Sequence, residues 1–405
     1  LPPSTIDLDE ESRRALELDA VLDLVASFAM SPQGVDRVRS LRPMADATSI
    51  ENEQQAVDEA LGLLQSDGRF VPGGISDPVG ARKALEVEGM RATATDLRDL
   101  AAFLMAAGEL RDRLTRLPEE RCPHLRALGS SLPVLTAEAR HVMRNVEPDG
   151  RILDDASPEL RKIRDGIGRV GARLRKMLER LVKGPGAGAV IQDDFITQRH
   201  GRYVVPVRVD APRPLRGIVH ASSSSGATVF IEPMETVELN NELVQLGEAE
   251  QEEVNRLLDS WTGAFRQRAG DVEIAIDGFA KADSLQARAA YAERNGCVRP
   301  RFDDRGVLEM LEVRHPLLDH RLRERGERCV PLTLRQDGSE PILVLSGPNM
   351  GGKTVTLKSL GLAVLMAQAG IPVLAAGCRL PVFRQVRADI GDHQSIEADL
   401  STFSA

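Results

Sequence analysis

The sequence predicts a multidomain chain. It reads as a mostly α-helical core, two long paired helices with a small β-rich insert between them, and part of an α/β phosphate-loop domain near the last residues. Three observations carry this reading. Residues 10–135 are rich in Ala, Leu, Glu and Arg, with apolar positions at helical spacing. Two long amphipathic stretches, one basic and one acidic, bracket a segment whose hydrophobic period changes to that of strands. An apolar run, a complete G-x-x-x-x-G-K-S/T spelling and a helical pattern then follow one another over residues 342–370.

The bulk properties narrow the classes. At 405 residues the chain has room for two to four domains. Its net charge of −9 excludes coating nucleic acid by global charge, so any polyanion must meet a local basic patch. Aromatics are 3% of residues, which argues against holding single strands by base stacking. Cys122, Cys297, Cys329 and Cys378 are far apart with no metal-ligand spacing, and the histidines cluster no better, so a reduced cytoplasmic protein is expected. No charged-then-apolar leader opens the chain, and the longest apolar run, Gly361 to Ala376, is broken by Gln368 and punctuated by Gly370-Ile371-Pro372. A core helix and strand, not a membrane span, are expected there. The chain begins without Met and stops at Ser404-Ala405 just after a nucleotide-binding half-domain, which predicts a piece of something longer.

In chain order, residues 1–156 read as a helical core, with stripes at Leu18, Val21, Leu22 and Val25, at Val57, Leu61 and Leu64, and at Leu97, Leu100, Leu104 and Leu110. Residues 157–190 read as a long helix. Ser157 supplies an N-cap and Pro158 the first helical position, and Leu160, Ile163, Ile167, Val170, Leu174, Met177 and Leu181 recur at steps of three and four. Its outer faces are basic: Arg161, Lys162, Arg164, Arg169, Arg173, Arg175, Lys176, Arg180 and Lys183. Residues 191–232 are β-rich, with turns at His200-Gly201 and Ser222 to Gly226. Arg199, Arg202, Arg208, Arg213 and Arg216 make this insert basic on an acidic protein, which predicts the nucleic-acid contact there. A second long helix runs from about Pro233 to Arg268 within residues 233–300. Val237, Val244, Val254, Leu258, Trp261 and Phe265 are its apolar positions, and Glu238, Glu242, Glu250, Glu253 and Asp259 are among its outer acids. An antiparallel pair with complementary charged flanks is expected.

Residues 301–405 hold strands at Val330 to Leu334, at the apolar run from Ile342 and near Val382-Phe383, with the phosphate loop behind the second. Gly347, Gly351 and Gly352 allow the backbone to turn its N–H groups toward phosphate oxygens, and the following helix adds roughly half a positive charge at its start. Lys353 is placed to reach the β- and γ-phosphates and the Thr354 hydroxyl to ligate Mg²⁺, so ATP and Mg²⁺ are the expected cofactors. The helix behind carries Leu357, Leu360, Val364 and Leu365 and stops at Gly370.

The order of these parts resembles the MutS family of ATPases, and within it the second branch, which lacks the mismatch-reading domain. The matching residues are Arg314-His315-Pro316, then Gly347-Pro348-Asn349-Met350-Gly351-Gly352-Lys353-Thr354, then Ser401-Thr402-Phe403. Leu16-Glu17-Leu18 and Gly34 to Leu41 resemble the start of the family's core. Ile218-Val219-His220, Ser223 to Thr228 and Ile231-Glu232-Pro233 are similar to the second branch specifically. The resemblance covers nearly the whole chain. It implies a homodimer in which 157–190 and 233–300 are lever helices, 191–232 is a clamp at their tip, and 301–405 is the N-terminal half of an ABC-type ATPase domain with sites formed across the dimer. Cys329 and Val330 then fall where the family packs the adenine. Ser401 and Thr402 correspond to a signature loop reaching the neighbouring subunit's triphosphate, although Glu397-Ala398-Asp399-Leu400 departs from the glycine-rich form before it. Phe230-Ile231-Glu232 spells the mismatch wedge tripeptide, but it sits at the exit of the insert and is read as coincidence.

The second branch implies action on branched or recombination DNA to suppress recombination, or on collided ribosomes, with an endonuclease domain in longer members. The leading expectation is therefore an ATP-driven nucleic-acid clamp. The alternatives are a ribosome-binding or structural protein that ATP merely switches, and a P-loop kinase of small molecules. Little chain follows the loop to build a kinase lid. Between Thr354 and Ala405 no apolar strand ends in paired carboxylates; the nearest run, Val386 to Asp392, contains Arg387. Turnover by these residues alone is expected to be slow.

Overall fold

Short polar side chains set where several helices begin in the computed structural model, which describes residues 5–184, 196–210, 215–223, 226–337, 339, 342–346 and 352–390. The first helices are α1 (Glu10–Ala15), α2 (Leu18–Ala26), α3 (Pro32–Arg39), α4 (Ala47–Asp67) and α5 (Val79–Glu86). Then come α6 (Ala94–Thr115), α7 (Pro123–Ser131), α8 (Thr136–Asn145), α9 (Pro158–Val182) and α10 (Val237–Gln267). The last are α11 (Ala269–Asn295), α12 (Pro316–Glu324) and α13 (Lys353–Gln368). The strands are β1 (Asp7–Leu8), β2 (Thr197–Arg199), β3 (Arg202–Arg208), β4 (Gly217–Ser222) and β5 (Thr228–Pro233), followed by β6 (Arg301–Phe302), β7 (Leu308–Val313), β8 (Leu332–Gln336), β9 (Gly377–Leu380) and β10 (Gln385–Val386). Asp9, Ser31, Asp46 and Ser157 each accept an N–H from the first turn of α1, α3, α4 and α9. Among the described residues no helix is long and apolar enough to cross a membrane.

The chain divides into two compact units. The first comprises Leu1–Asp77, Ala102–Ala137 and Arg268–Ala405. Its central element is α11, buried on most sides because alanines at 275, 280, 282, 287, 289, 290 and 292 let α3 and α4 approach closely. Asp283 on α11 is fully buried. It accepts the Met30 N–H at 3.0 Å and, from Ser31, the N–H at 2.8 Å and the hydroxyl at 2.6 Å. Gly34 on α3 faces this carboxylate so closely that a β-carbon there would lie 2.0 Å from Oδ2. The apolar core joins Leu18, Val21, Leu22 and Val25 of α2 to Met310 and Val313 of β7 and Leu362 to Ala367 of α13. A mixed sheet of order β6-β9-β7-β8 lies in this unit, with β6 parallel to β9 and the other pairs antiparallel.

The second unit comprises Pro78–Ala101 and Glu138–Gln267. Helices α9 and α10 pack antiparallel: Ser157 meets Glu253, Arg164 meets Glu250, and Gly166 lies against Leu246. An antiparallel sheet of order β2-β3-β5-β4 packs Val205, Val207 and Ile231 against Leu174, Leu178 and Val182 of α9 and Leu239 of α10. The His200-Gly201 hairpin turn has both residues at positive φ, 51° and 76°, as a two-residue turn between Arg199 and Arg202 requires.

Several expectations shift. The seam of α9 runs Leu160, Ile163, Val170, Leu174, Leu178 and Val182, leaving Met177 and Leu181 only partly buried. A straight helix drifts from the heptad spacing, and its last turns face the sheet as well as α10. On α4 the buried stripe is Ile50, Gln54, Val57, Ala60 and Leu63, one position off the expected Leu61 and Leu64. On α10 it is Leu239, Leu257, Trp261 and Phe265, not Val237, Val244, Val254 and Leu258. Glu253, expected on the outer face, is buried: it accepts the Ser157 hydroxyl at 2.6 Å, and Arg256 then Ser157 hold its carboxyl down at about 2. Among the described residues the only α9–α10 ion pair is Arg164–Glu250 at 2.7 Å, so complementary flanks are not the general rule. In the first unit β8 starts at Leu332, two residues beyond the expected Val330, and Val382-Phe383 is a link between β9 and β10. The apolar run from Ile342 is irregular, with Ile342 and Val344 each 80% exposed. A parallel strand apolar on both faces needs neighbours on both sides, and no described strand pairs with it.

Candidate nucleotide-binding site

Helix α13 opens at Gly352, whose φ of 74° and ψ of 15° place it in the left-handed region that favours glycine. Having no side chain, Gly352 itself offers the first-turn N–H groups no acceptor. Lys353 and Thr354 are the first two helical residues, and Thr354 is exposed. A helix that starts at a left-handed glycine, with a lysine and an exposed hydroxyl in its first turn, fits a bound triphosphate and Mg²⁺. Gly347, Pro348, Asn349, Met350 and Gly351 lie outside the described residues, as do Ser401, Thr402 and Arg213. Leu357, expected on the buried face, is 49% exposed; the burial of α13 begins at Lys358 and continues on every side from Leu362.

Val330 is 87% exposed, and the neighbouring Cys329 is buried. Cys329 lines an open cleft of about 760 Å³ together with Arg314, Asp319, Arg323 and Pro331. Burial pushes the Cys329 thiol up, keeping it neutral. The floor of the cleft is braced by Asp319, 2% exposed, which meets Arg314 at 3.0 Å and Arg323 at 2.6 Å.

Behind α13 lies a buried charged cluster. The Lys358 ammonium sits 3.5 Å from Glu17, itself at φ 56° where it caps α2. His315 is 1% exposed, with Nε2 3.8 Å from the other Glu17 oxygen, too long for a hydrogen bond. Among the described residues neither ring nitrogen has a hydrogen-bond partner. Burial first, then the charges of Lys358 and Arg321, lower the imidazole to about 4, so it is neutral at neutral pH.

Three arginines of the β-rich insert have definite partners. Arg202 donates to buried Glu232 at 2.8 Å and to Asn241 at 2.6 Å. His220 meets the second Glu232 oxygen at 2.5 Å, and Asn240 exchanges two bonds with the Tyr203 backbone, fastening β3 to α10. Arg208 forms a two-bond pair with Asp210, and the Arg199 guanidinium lies 4.4 Å above the Phe230 ring. Arg216 is exposed just before β4.

The sequence model described as MutS domain V matches residues 343–405. The chain is also 37% identical over 393 residues to the Endonuclease MutS2 of Geobacillus sp. (strain WCH70), a match covering 96% of this chain and 49% of that protein. The chain belongs to the MutS family. Proteins named Endonuclease MutS2 from Pelotomaculum thermopropionicum and Symbiobacterium thermophilum are each 36% identical, over 98% of this chain and 50% and 49% of their own lengths. The chain thus spans about half the length of these curated relatives.

Within this MutS-family chain, Lys358 escaped the sequence reading as a member of the site's supporting shell. A signal was present: a lysine inside the apolar run Leu357 to Leu365 is expensive unless paired. Its partner Glu17 stands in the Leu16-Glu17-Leu18 segment that already resembled the family.

Proposed function

We propose that this chain is the nucleotide-binding and nucleic-acid-engaging part of a MutS-type ATPase. In this reading it works in the cytoplasm as a homodimer on branched or recombination DNA. The carrying observation is the start of α13, where left-handed Gly352 leads into Lys353 and Thr354 at the helix N-terminus. Lys353 binds the terminal phosphates, Thr354 holds Mg²⁺, and the dipole of α13 favours the anion. Mg²⁺, when bound, neutralises charge on the phosphate oxygens. Cys329 and Val330 border the space assigned to the base, and Ser401 and Thr402 are assigned to the partner subunit's triphosphate. The Lys358–Glu17 ion pair ties α13 to the start of α2, so a shift of α13 on nucleotide binding is felt in the helical core. The β-rich sheet on the α9–α10 pair is the clamp in this scheme.

The test is Lys353→Ala with a fluorescent ATP analogue. Loss of a charged contact of about 1.5–3 kcal/mol weakens binding by roughly ten- to a hundredfold, whereas unchanged affinity would refute the site. Stimulation of ATP hydrolysis in the intact protein by four-way DNA junctions supports the DNA substrate. Stimulation only by stalled ribosomes would transfer the function to them.

A further inference from the structure

The C-terminal half of α9 carries a row of cations for which no ion pair is found among the described residues. Arg169, Arg173, Lys176, Arg180 and Lys183 are all exposed. Their steps of four, three, four and three keep them within an arc of about 80° on the helix, along about 21 Å of its length. The cations of the N-terminal half are paired instead: Arg161 with Asp155, Lys162 with Glu159, and Arg164 with Asp154 and Glu250. Asp165 marks where the free stripe begins, and Glu179 lies to one side of it. Like charges three and four residues apart destabilise a helix by a few tenths of a kcal/mol per pair, about the same size as an opposite pair stabilises it. Gly168 and Gly171 weaken α9 further. Such a stripe, on a chain of net charge −9, is a standing cost to folding that an external anion would relieve.

We infer that this face of α9 is a phosphodiester-binding surface on which one backbone strand of a duplex lies along Arg169, Arg173, Lys176, Arg180 and Lys183. One strand presents a phosphate every 3.4 Å or so of duplex axis, so about six phosphates lie along the stripe's length. Cations recurring every five ångströms or so follow that line. A duplex suits the chain better than a single strand, because aromatics for base stacking are only 3% of residues. The insert contributes less than its five arginines suggest, since Arg202 is held by Glu232 and Arg208 by Asp210. The inference rests on the nucleic-acid reading above and relocates its main contact from the sheet to the helix.

The experiment uses the intact protein with fluorescein-labelled 30-base-pair DNA and RNA duplexes, read by anisotropy across a salt series. The variant combines Arg169→Gln, Arg173→Gln, Lys176→Gln and Arg180→Gln, which remove charge while keeping good helix formers. Each lost phosphate contact lowers the slope of log K against log salt by about 0.9, so a fall of about 3 to 4 is expected. Arg199→Gln with Arg216→Gln should lower it by less than 2 or so. Either duplex behaving this way supports the assignment, and their relative affinities tell DNA from RNA as the source. Should the combined variant fold poorly, Glu179→Gln gives an independent reading, because removing that neighbouring anion should tighten binding severalfold. Wild-type binding with a slope unchanged in the combined variant, or an affinity unchanged by Glu179→Gln, overturns the inference and leaves the nucleic-acid reading standing. Equal competition by polyglutamate overturns it in favour of an acidic protein. No wild-type binding to either duplex at low salt overturns both.

Discussion

Lowering the pH from about 7.5 to about 4.5 should destabilise the first unit through His315. The groups facing its imidazole are Glu17 at the start of α2, Lys358 of α13 and Arg321 of α12. Burial is the main reason the folded ring protonates only near about 4 rather than 6.5, and the two cations add to it. The sign follows from proton counting. Between those values the unfolded chain binds a proton that the folded chain does not, so stability is complete above pH 6.5 and falls as the pH falls toward 4. Crossing the whole interval costs about 3.4 kcal/mol, of which about 2 kcal/mol is already lost at pH 5. Urea unfolding of wild type and His315→Gln in parallel at each pH isolates this share, because glutamine does not titrate. The difference in unfolding free energy between the two should shift toward the variant by about 2 kcal/mol between pH 7 and pH 5. Parallel pH profiles would refute the reasoning, as would an NMR titration placing the folded His315 near 6.5.

Three further outcomes are expected. Ser157→Ala removes both the cap of α9, a 3.0 Å bond from the Leu160 N–H, and a donor to buried Glu253. It should cost about 2–4 kcal/mol in urea unfolding, and Ser157→Thr should recover most of that. Gly34→Ala drives a methyl group into Asp283, and rotating that carboxylate away sacrifices its bonds to Met30 and Ser31. A loss of at least about 3 kcal/mol should follow, visible as a lowered thermal midpoint. Residues 1–405 purified alone should hydrolyse ATP well below roughly one per second, since no apolar run in the sequence between Thr354 and Ala405 ends in paired carboxylates. A rate at or above that value would contradict the expectation.

What could be read directly from the sequence was local chemistry. Ser157-Pro158 marks the start of α9, Gly370 follows the end of α13 at φ 72°, and His200-Gly201 turns a hairpin, each because a few adjacent residues suffice. The stripes of α2 and of Leu97, Leu100, Leu104 and Leu110 were legible for a similar reason, since a helix repeats its buried face every three or four residues. Neighbours distant in sequence decided the rest. Whether Glu253 is an outer acid or a buried acceptor depends on Ser157, and whether Arg202 is a free cation or a strut depends on Glu232. His315 is neutral because the surrounding core buries its ring and the charges of Lys358 and Arg321 add to that, none of which the local Arg314-His315-Pro316 segment reveals. The Ile342 run shows the opposite case, for its apolar residues are strand-like but pair with no described strand. Burial and pairing are properties of what packs beside a residue, so the sequence listed the charges while the tertiary structure chose which remained free to meet another molecule.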